Sequence, residues 1–317
     1  MRNLRQFTMH VLVIVCIMSI SWCAFSQSSS ISYDEITNQI ENTRNEIAGT
    51  PLKIIYTLET TKFYPESSIS NTLSDNKVEI ELPNVKTVDS SGHTVNASTT
   101  GEYSSVYNLP CTRNAVRVTM VRSDKIIYYK QENLDKEGHD TIWAFDGKKT
   151  KFLHQGRTKR KIVNEGAIYD GYKKIYDLMD PSLMGHFTPA GKSDAYDIVD
   201  LPDKNISISM KQKDFKKELI LTPGEDSIIL SHVMEKGNAR RSLNINKTAK
   251  VGNLILPAEI EKKRIQDSGN PGVFFHLKDI QYEILEPEEL NNYSTFDFPE
   301  GTIIRENGQI LSLPASP

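Results

Sequence analysis

The sequence predicts an α+β protein in which a large, curved antiparallel β-sheet has one N-terminal helix packed on it. One segment, residues 32–48, places apolar residues at helical spacing, whereas most of the chain after it alternates between apolar and polar residues. The alternating segments are short, and turn-sized gaps separate many of them, which is typical of antiparallel strands. Hydrophobic residues at 38% and charged residues at 25% of 317 residues indicate a folded, water-soluble chain.

The first 26 residues predict a secretory signal peptide. Arg2 and Arg5 give it a positively charged start, and residues 11–20 give it an apolar run. Ala24-Phe25-Ser26 then places small residues at the two positions that a signal peptidase reads, so we expect cleavage after Ser26. The protein is therefore expected to be periplasmic or secreted.

Two other interpretations of the leader stay open. A transmembrane anchor is disfavoured because the apolar run is shorter than the ~20 residues that span a bilayer, so no transmembrane segment is expected after cleavage. A lipid anchor on Cys23 is disfavoured because Trp22 precedes it, where a small residue is expected. Cleavage leaves Cys111 as the one thiol, which allows no internal disulfide.

The helix has both a start and a stop signal. Ser32 and Glu35 form a capping box, and Gly49 followed by Pro51 ends the helix. Its apolar stripe consists of Tyr33, Ile36, Ile40 and Ile47.

The strands are predicted from period-two alternation, with Asp146-Gly147 as a strong hairpin turn. The predicted strands are 52–59, 116–121, 126–129, 141–145, 151–154, 159–164, 195–201, 205–211, 217–222, 227–235, 239–246, 253–264 and 272–284.

After the signal peptide, residues 27–305 are expected to form one domain, followed by a C-terminal tail at 306–317. Residues 64–114 are rich in Ser, Thr and Asn and are predicted to be an exposed insertion with one strand-like stretch at Val78–Leu82. Residues 171–187 are expected to form a short helical connection between two runs of strands.

The sequence contains no motif for catalysis, metal binding or a cofactor, so we expect a protein that is not an enzyme. There is no Gly-x-Ser-x-Gly elbow and no Gly-rich phosphate loop. A net charge of −3 and a pI near 6.2 argue against nucleic acid as a partner. The histidines after the leader are far apart along the chain: His93, His139, His154, His186, His232 and His276.

The densest positive region consists of Lys148–Lys151 and Arg157–Lys161. Alternation with apolar residues favours the solvent-exposed face of an edge strand, where lysines block aggregation. A docking patch for anionic lipid headgroups or for an acidic partner is the alternative.

Large apolar side chains on neighbouring strands form the candidate ligand site. One interpretation is that they form the core under the helix. The other is that they include apolar surface that the helix leaves uncovered, because a helix of about 17 residues is only about 25 Å long. A concave, mostly apolar surface is typical of small-molecule and lipid sites. The candidate residues are Ile54, Tyr56, Leu58, Val118, Met120, Ile127, Tyr129, Trp143 and Phe145.

The order of elements resembles the outer-membrane lipoprotein carrier superfamily, the LolA-like proteins, with their lipoprotein-receptor and RseB-like sigma-regulator relatives. The resemblance covers most of residues 31–305. It is carried by the leader, the capped helix ending near Gly49, the strand Leu52–Glu59, the Ile142–Gly147 hairpin, Leu254–Pro257 and Phe296–Thr302. It implies an unclosed half-barrel of antiparallel sheet, with helices as a lid over a hydrophobic cavity that binds acyl chains.

We therefore expect a non-enzymatic periplasmic or secreted protein that shelters a hydrophobic ligand, such as a lipid or a lipoprotein acyl chain. The alternative is an envelope sensor or protein-interaction scaffold of the same fold, which would bind an envelope protein partner. A hydrolase whose site assembles from distant residues is a third hypothesis.

Overall fold

The structure is a computed structural model that describes residues 31–63, 77–83, 104–123, 126–135, 140–155, 161–166, 179–187, 195–224, 227–266, 271–298, 303–306 and 309–312. The helices in this part of the chain are α1 (Tyr33–Gly49), α2 (Pro181–Met184) and α3 (Pro287–Leu290), and a 3-10 turn at Asn291–Tyr293 follows α3. The strands are β1 (Leu52–Phe63), β2 (Lys77–Pro83), β3 (Ser104–Arg122), β4 (Ile127–Asn133), β5 (Thr141–Phe145), β6 (Thr150–Gln155), β7 (Lys161–Gly166), β8 (Asp197–Asp200), β9 (Ile206–Gln212), β10 (Phe215–Leu221), β11 (Ile229–Lys236), β12 (Ala239–Val251), β13 (Leu254–Ile265), β14 (Pro271–Ile284), β15 (Ile303–Glu306) and β16 (Gln309–Ser312).

The sixteen strands of the described residues belong to one sheet. Its order is β16-β15-β7-β6-β5-β4-β3-β1-β14-β13-β12-β11-β10-β9-β8, and β2 pairs with β3 off this path. The path is open in the described residues: β16 lies at one end and β8 at the other, and these two strands do not pair with each other. Neighbouring strands are antiparallel, except that β15 runs parallel to β7. The predicted antiparallel sheet is therefore confirmed, and the protein is mostly β.

Helix α1 forms where the sequence predicts it. The Glu35 amide donates to the Ser32 hydroxyl at 3.2 Å, which satisfies one of the helix's free N-terminal donors. After Gly49 the chain becomes extended, and the Thr50 amide donates back to the Glu46 carbonyl at 3.1 Å. Ile36, Ile40 and Ile47 are fully buried, as the apolar stripe predicts.

Strand β1 lies near the centre of the sheet and shows the predicted alternation. Leu52, Ile54, Tyr56 and Leu58 are buried, and the residues between them are half-buried. The register with β14 shifts between Ile55 and Thr57, opposite Asp279, which has a φ of 55°. This bulge is a local irregularity in an otherwise regular ladder.

Two hydrophobic clusters lie on one side of this sheet, which we call the helix face. The first contains Ile47 of α1 and Met184 of α2 together with buried side chains from both halves of the sheet. The second contains Tyr33, Ile36 and Ile40 of α1 with residues of β9, β10 and β11. We call the opposite side the outer face.

The first half of β3 corrects one expectation. Residues 104–114 belong to this long strand rather than to an irregular insertion, and Cys111 is opposite Phe63 in register. Both side chains are buried. The cause is pairing with β1 and β2, which overrides the turn tendency of residues such as Asn108 and Pro110.

The C-terminal strands correct two further expectations. The expected tail contains β16, which pairs with β15, and β15 adds to β7. Strands β6 and β7 therefore lie inside the path, so the lysine-rich hairpin does not form a sheet edge as predicted.

Some expectations lie outside the described residues, namely the signal peptide at 1–26, residues 64–76 and 84–103 of the insertion, and residues 171–178 of the helical connection. In the ranges that the structure does describe, none of the helices combines the length and the apolar character needed to cross a bilayer.

Gly185, directly after α2, provides a test of this packing. A Cβ at this position would lie 2.7 Å from Ile228 Cγ1 and 2.8 Å from Ile245 Cδ1. We expect Gly185→Ala to lower the free energy of unfolding by about 1–3 kcal/mol, measured by urea denaturation.

Gly49→Ala is the matched control, because a Cβ there meets nothing within 4 Å. It should leave stability unchanged or raise it by up to about 1 kcal/mol. Equal stability of the two variants would contradict the close packing of α2 on β12 and on Ile228.

Candidate functional site

The sequence-predicted site residues lie on the helix face, and most of them belong to one cluster. Ile127 is half-buried and packs against that cluster, and Phe145 is half-buried opposite Ile127 in the register of β4 and β5. The buried members of the cluster are Ile54, Tyr56, Leu58, Val118, Met120, Tyr129 and Trp143.

Cross-strand register explains why these side chains meet. Ile54 is opposite Met120, Met120 is opposite Tyr129, and Tyr129 is opposite Trp143. Directly opposed residues project from the same face, so the row is continuous across β1, β3, β4 and β5. The Tyr129 and Trp143 ring centroids are 6.2 Å apart.

Residues 179–187, which we call the strap, pass over this row. The Tyr56 hydroxyl donates to the Met179 carbonyl at 2.9 Å, at the beginning of the strap. Near its other end, the Ile229 amide donates to the Gly185 carbonyl at 2.8 Å. Met184 is buried in the same cluster as Tyr56, so the strap covers part of the apolar row.

A buried ion pair joins the strap to the sheet. Arg122 Nε lies 3.0 Å from Asp180 Oδ2, and the two side chains are 8% and 0% exposed. Asp180 Oδ1 accepts hydrogen bonds from the Ser182 amide at 2.9 Å and from the Ser182 hydroxyl at 2.6 Å. Asp180 is thus both the N-cap of α2 and the partner of Arg122.

The same guanidinium reaches α1. Arg122 Nη2 donates to the Ile47 carbonyl at 2.7 Å, close to the C-terminus of the helix. The last turn of α1 has no basic residue of its own, so Arg122 supplies the positive charge that a helix C-terminus favours. One side chain therefore connects β3, α1 and the strap.

Tyr282 lies beside this pair on β14. Burial, reinforced by the negative charge of Asp180, raises the pKa of Tyr282 well above its usual value. Its hydroxyl donates to the Pro257 carbonyl at 2.6 Å, so the neutral phenol is held in place.

His186 precedes the last residue of the strap and is fully buried. Neither ring nitrogen makes a hydrogen bond of good geometry, although backbone groups of Ser227 and Ile255 lie near the ring. Burial lowers the pKa of His186 to about 4. His186 is therefore neutral at physiological pH.

Farther along the same face, His232 lies beside the end of the strap. Its ring centroid is 4.8 Å from that of Phe187. Burial, together with the positive charge of Lys217, lowers the pKa of His232 to about 4. Lys217 is itself buried, and its ammonium donates to the Tyr196 hydroxyl at 3.4 Å.

Other apolar side chains on the helix face are only partly covered. Phe275 is opposite Thr60, and Leu243 is opposite His232, so both project from this face. Phe152, opposite Trp143, and Ile127 are likewise half-buried at the edge of the cluster. The covered core thus continues into partly exposed apolar surface.

A groove of about 710 Å³ lies at one end of strands β10–β14. Met234, Val273, Arg241 and Arg264 project into it from the helix face. Glu235 is the acidic residue that lines this groove, and its carboxylate lies 3.5 Å from the Arg240 guanidinium.

Sequence reasoning missed several of these residues. The apolar alternation of Val273, Phe275 and Leu277 was a usable signal, because those residues occupy one face of a predicted strand. Arg122 and Asp180 carry no such signal, since their pairing depends on two segments that are distant in the chain.

The described part of this face is mostly apolar. Burial raises the pKa of the Cys111 thiol, which disfavours a reactive thiolate. Within the described ranges, no group of three or more histidine, cysteine or acidic residues is arranged to hold a metal ion. The residues that converge are apolar, with a few polar groups fixed by mutual contacts.

The described fold is a mostly β protein built on a large open antiparallel sheet with few helices. The sequence matches no protein-family model and no curated protein. Among solved structures, the chain is similar to the crystal structure of a DUF1329 family protein from Desulfovibrio piger ATCC 29098. The similarity covers 80% of this chain and 94% of that one, at 6% identity and a TM-score of 0.39. At that level the similarity says nothing about what this chain binds.

His186 predicts a pH dependence of stability. Its folded pKa of about 4 is lower than the unfolded value near 6.5, so the unfolded state takes up the proton first. Stability is therefore lost as the pH falls from 6.5 toward 4. His186 alone should account for on the order of 2 kcal/mol between pH 7 and pH 5.

The measurement is urea unfolding of the wild type and of His186→Gln at both pH values. The variant should lose less stability between pH 7 and pH 5 than the wild type does. An identical loss in the two proteins would show that His186 is not held neutral in the fold.

Proposed function

We propose that this chain is a non-enzymatic binding protein that shelters a hydrophobic ligand between the helix face and its cover of α1 and the strap. The ligand is an acyl chain, either of a lipid or of a lipoprotein. In this proposal the sheet curves as a half-barrel, as in LolA-like proteins, and the signal peptide sends the protein to the periplasm or outside the cell.

The observation that carries the proposal is the mismatch in size between the sheet and its cover. Helix α1 has 17 residues and is about 25 Å long. Fifteen strands in one path, about 4.8 Å apart, extend over about 65 Å. Apolar side chains such as Phe275 and Leu243 continue across the helix face as half-buried surface. Half-buried apolar side chains at the edge of a covered core, with a few polar groups beside them, suit the apolar part of a ligand.

The burial of an acyl chain supplies enough free energy to offset the cost of association. Each buried methylene contributes about 0.8 kcal/mol, so a chain of about 14 methylenes offers on the order of 10 kcal/mol. That is comparable with the association cost of roughly 4–15 kcal/mol. A single acyl chain would therefore bind reversibly, and two chains would bind more tightly.

The contacts of the strap suggest how a ligand would enter and leave. The Tyr56 and Ile229 hydrogen bonds and the Arg122–Asp180 pair hold the strap against the sheet. Release in this proposal requires α1 or the strap to move, or an acceptor that is more apolar than the helix face.

An envelope sensor or interaction scaffold of the same fold is the alternative. It would bind its partner through the sheet, and the helix face would remain a closed core. The two functions differ in whether an acyl ligand competes for the half-buried residues.

Two adjacent phenylalanines on β14 provide a direct test. Phe275 projects from the helix face, whereas Phe274 projects from the outer face and packs on Phe63 with a centroid distance of 4.9 Å. We expect Phe275→Ser to weaken the binding of a fluorescent acyl probe by about tenfold or more, since about 2 kcal/mol of apolar burial is lost.

Phe274→Ser is the matched control, because it removes the same side chain from the other face. Circular dichroism and thermal unfolding would establish that both variants are folded. Equal binding by both variants and the wild type would place the ligand elsewhere, and a folded wild type that ignores the probe would favour the protein-partner alternative.

A further inference from the structure

Charged residues are distributed unequally between the two faces of strands β10–β14 and β1. On the helix face the charged residues at the groove end are basic. We call this set the basic rim: Lys62, Lys236, Arg241, Lys262 and Arg264.

Strand register establishes that the basic rim shares one face with the apolar surface. Lys262 is opposite both Phe275 and Leu243. In the next row toward the strand ends, Arg264 is opposite both Val273 and Arg241. Since opposed residues project to the same side, cations and apolar side chains alternate across this surface.

These rows contain no acidic residue among the described positions. The first row consists of Thr60, Phe275, Lys262, Leu243, His232 and Leu219. The second row consists of Lys62, Val273, Arg264, Arg241, Met234 and Lys217.

The outer face of the same strands is different, because its charges are arranged as opposite-sign pairs. Lys263 lies 2.9 Å from Glu261 on β13, and Lys216 lies 2.9 Å from Glu218 on β10. Arg240, the neighbour of Arg241 in sequence, lies 3.5 Å from Glu235. The excess of positive charge therefore belongs to the helix face and not to the strands as a whole.

Placing two arginines directly opposite each other is unfavourable by itself, because like charges in opposed positions repel. Desolvation lowers the pKa of the nearby Lys262 ammonium group to about 8. An anion bound at the basic rim would relieve the repulsion between the two arginines. Arg241 and Arg264 are exposed in the groove of about 710 Å³, so an anion can reach them.

We propose that the ligand of the helix face is an anionic lipid, with its phosphate group at the basic rim and its acyl chain along Phe275 and Leu243. This inference rests on the proposed function and adds the class of the ligand to it. Arginine binds phosphate oxygens in bidentate fashion, and lysine contributes a point charge, so the rim suits a phosphate better than an uncharged headgroup.

The test compares two lipids with the same palmitoyl chain below their micelle concentrations. One is anionic lysophosphatidylglycerol, and the other is zwitterionic lysophosphatidylcholine. Each displaces an uncharged fluorescent acyl probe from the wild-type chain. We expect the anionic lipid to bind at least tenfold more tightly, with a stronger dependence on salt.

A pair of double variants assigns the preference to the rim. Arg241→Gln with Arg264→Gln removes two helix-face charges and should weaken binding of the anionic lipid by about tenfold or more. The zwitterionic lipid should be affected less, because its choline cation offsets the charge of its phosphate. Lys216→Gln with Lys263→Gln removes two charges from the outer face of the same strands, and neither residue lines the groove. It should leave the binding of both lipids unchanged.

Three outcomes would overturn the inference in distinguishable ways. Equal binding of the two lipids, unchanged in the first double variant, would leave the proposed function intact and refute the anionic ligand. Displacement by inorganic phosphate as effective as by the anionic lipid would assign the rim to a free anion. Failure of both lipids and of the probe to bind the folded wild type would refute the proposed function as well.

Discussion

The buried pair of Arg122 and Asp180 is the interaction on which the cover of the helix face depends. Two charges removed from water cost several kcal/mol each unless they are paired and hydrogen-bonded. Here the Arg122 guanidinium also donates to the Ile47 carbonyl of α1, and the Asp180 carboxylate also accepts from the Ser182 amide of α2. Each charged group therefore has a second partner besides the other. Separating the strap from β3 would leave two unpaired charges, and separating α1 would remove a hydrogen bond from the guanidinium, so the cover has one defined position.

The cover and the sheet together divide the helix face into two regions. Beneath α1 and the strap, side chains such as Met120 and Ile54 are completely buried and behave as core. Toward the groove, Phe275 and Leu243 are half-buried and adjoin basic residues. The first region stabilises the fold, and the second has the composition of a surface for an amphiphilic molecule. The proposed ligand would continue the core outward and would end in a charged group at the rim.

Local sequence patterns predicted the elements that local interactions determine. Helix α1 follows from its Ser32 cap and isoleucine stripe, and β1 follows from strict alternation. Long-range pairing decided the remainder: the first half of β3 is a strand despite Pro110, and β15 pairs in parallel with β7 far back in the chain. The basic rim could not be predicted from the sequence either, because Arg240 and Arg241 are neighbours in sequence but lie on opposite faces. Only the strand register separates their charges.

Native mass spectrometry would show whether the helix face holds an acyl lipid. The full chain would be expressed in a bacterium with an envelope and purified without detergent. We expect a population heavier than the polypeptide by the mass of a phosphate-bearing lipid, which organic extraction removes and identifies. A folded protein that shows only the polypeptide mass, and that gains no lipid when incubated with anionic vesicles, would contradict the account.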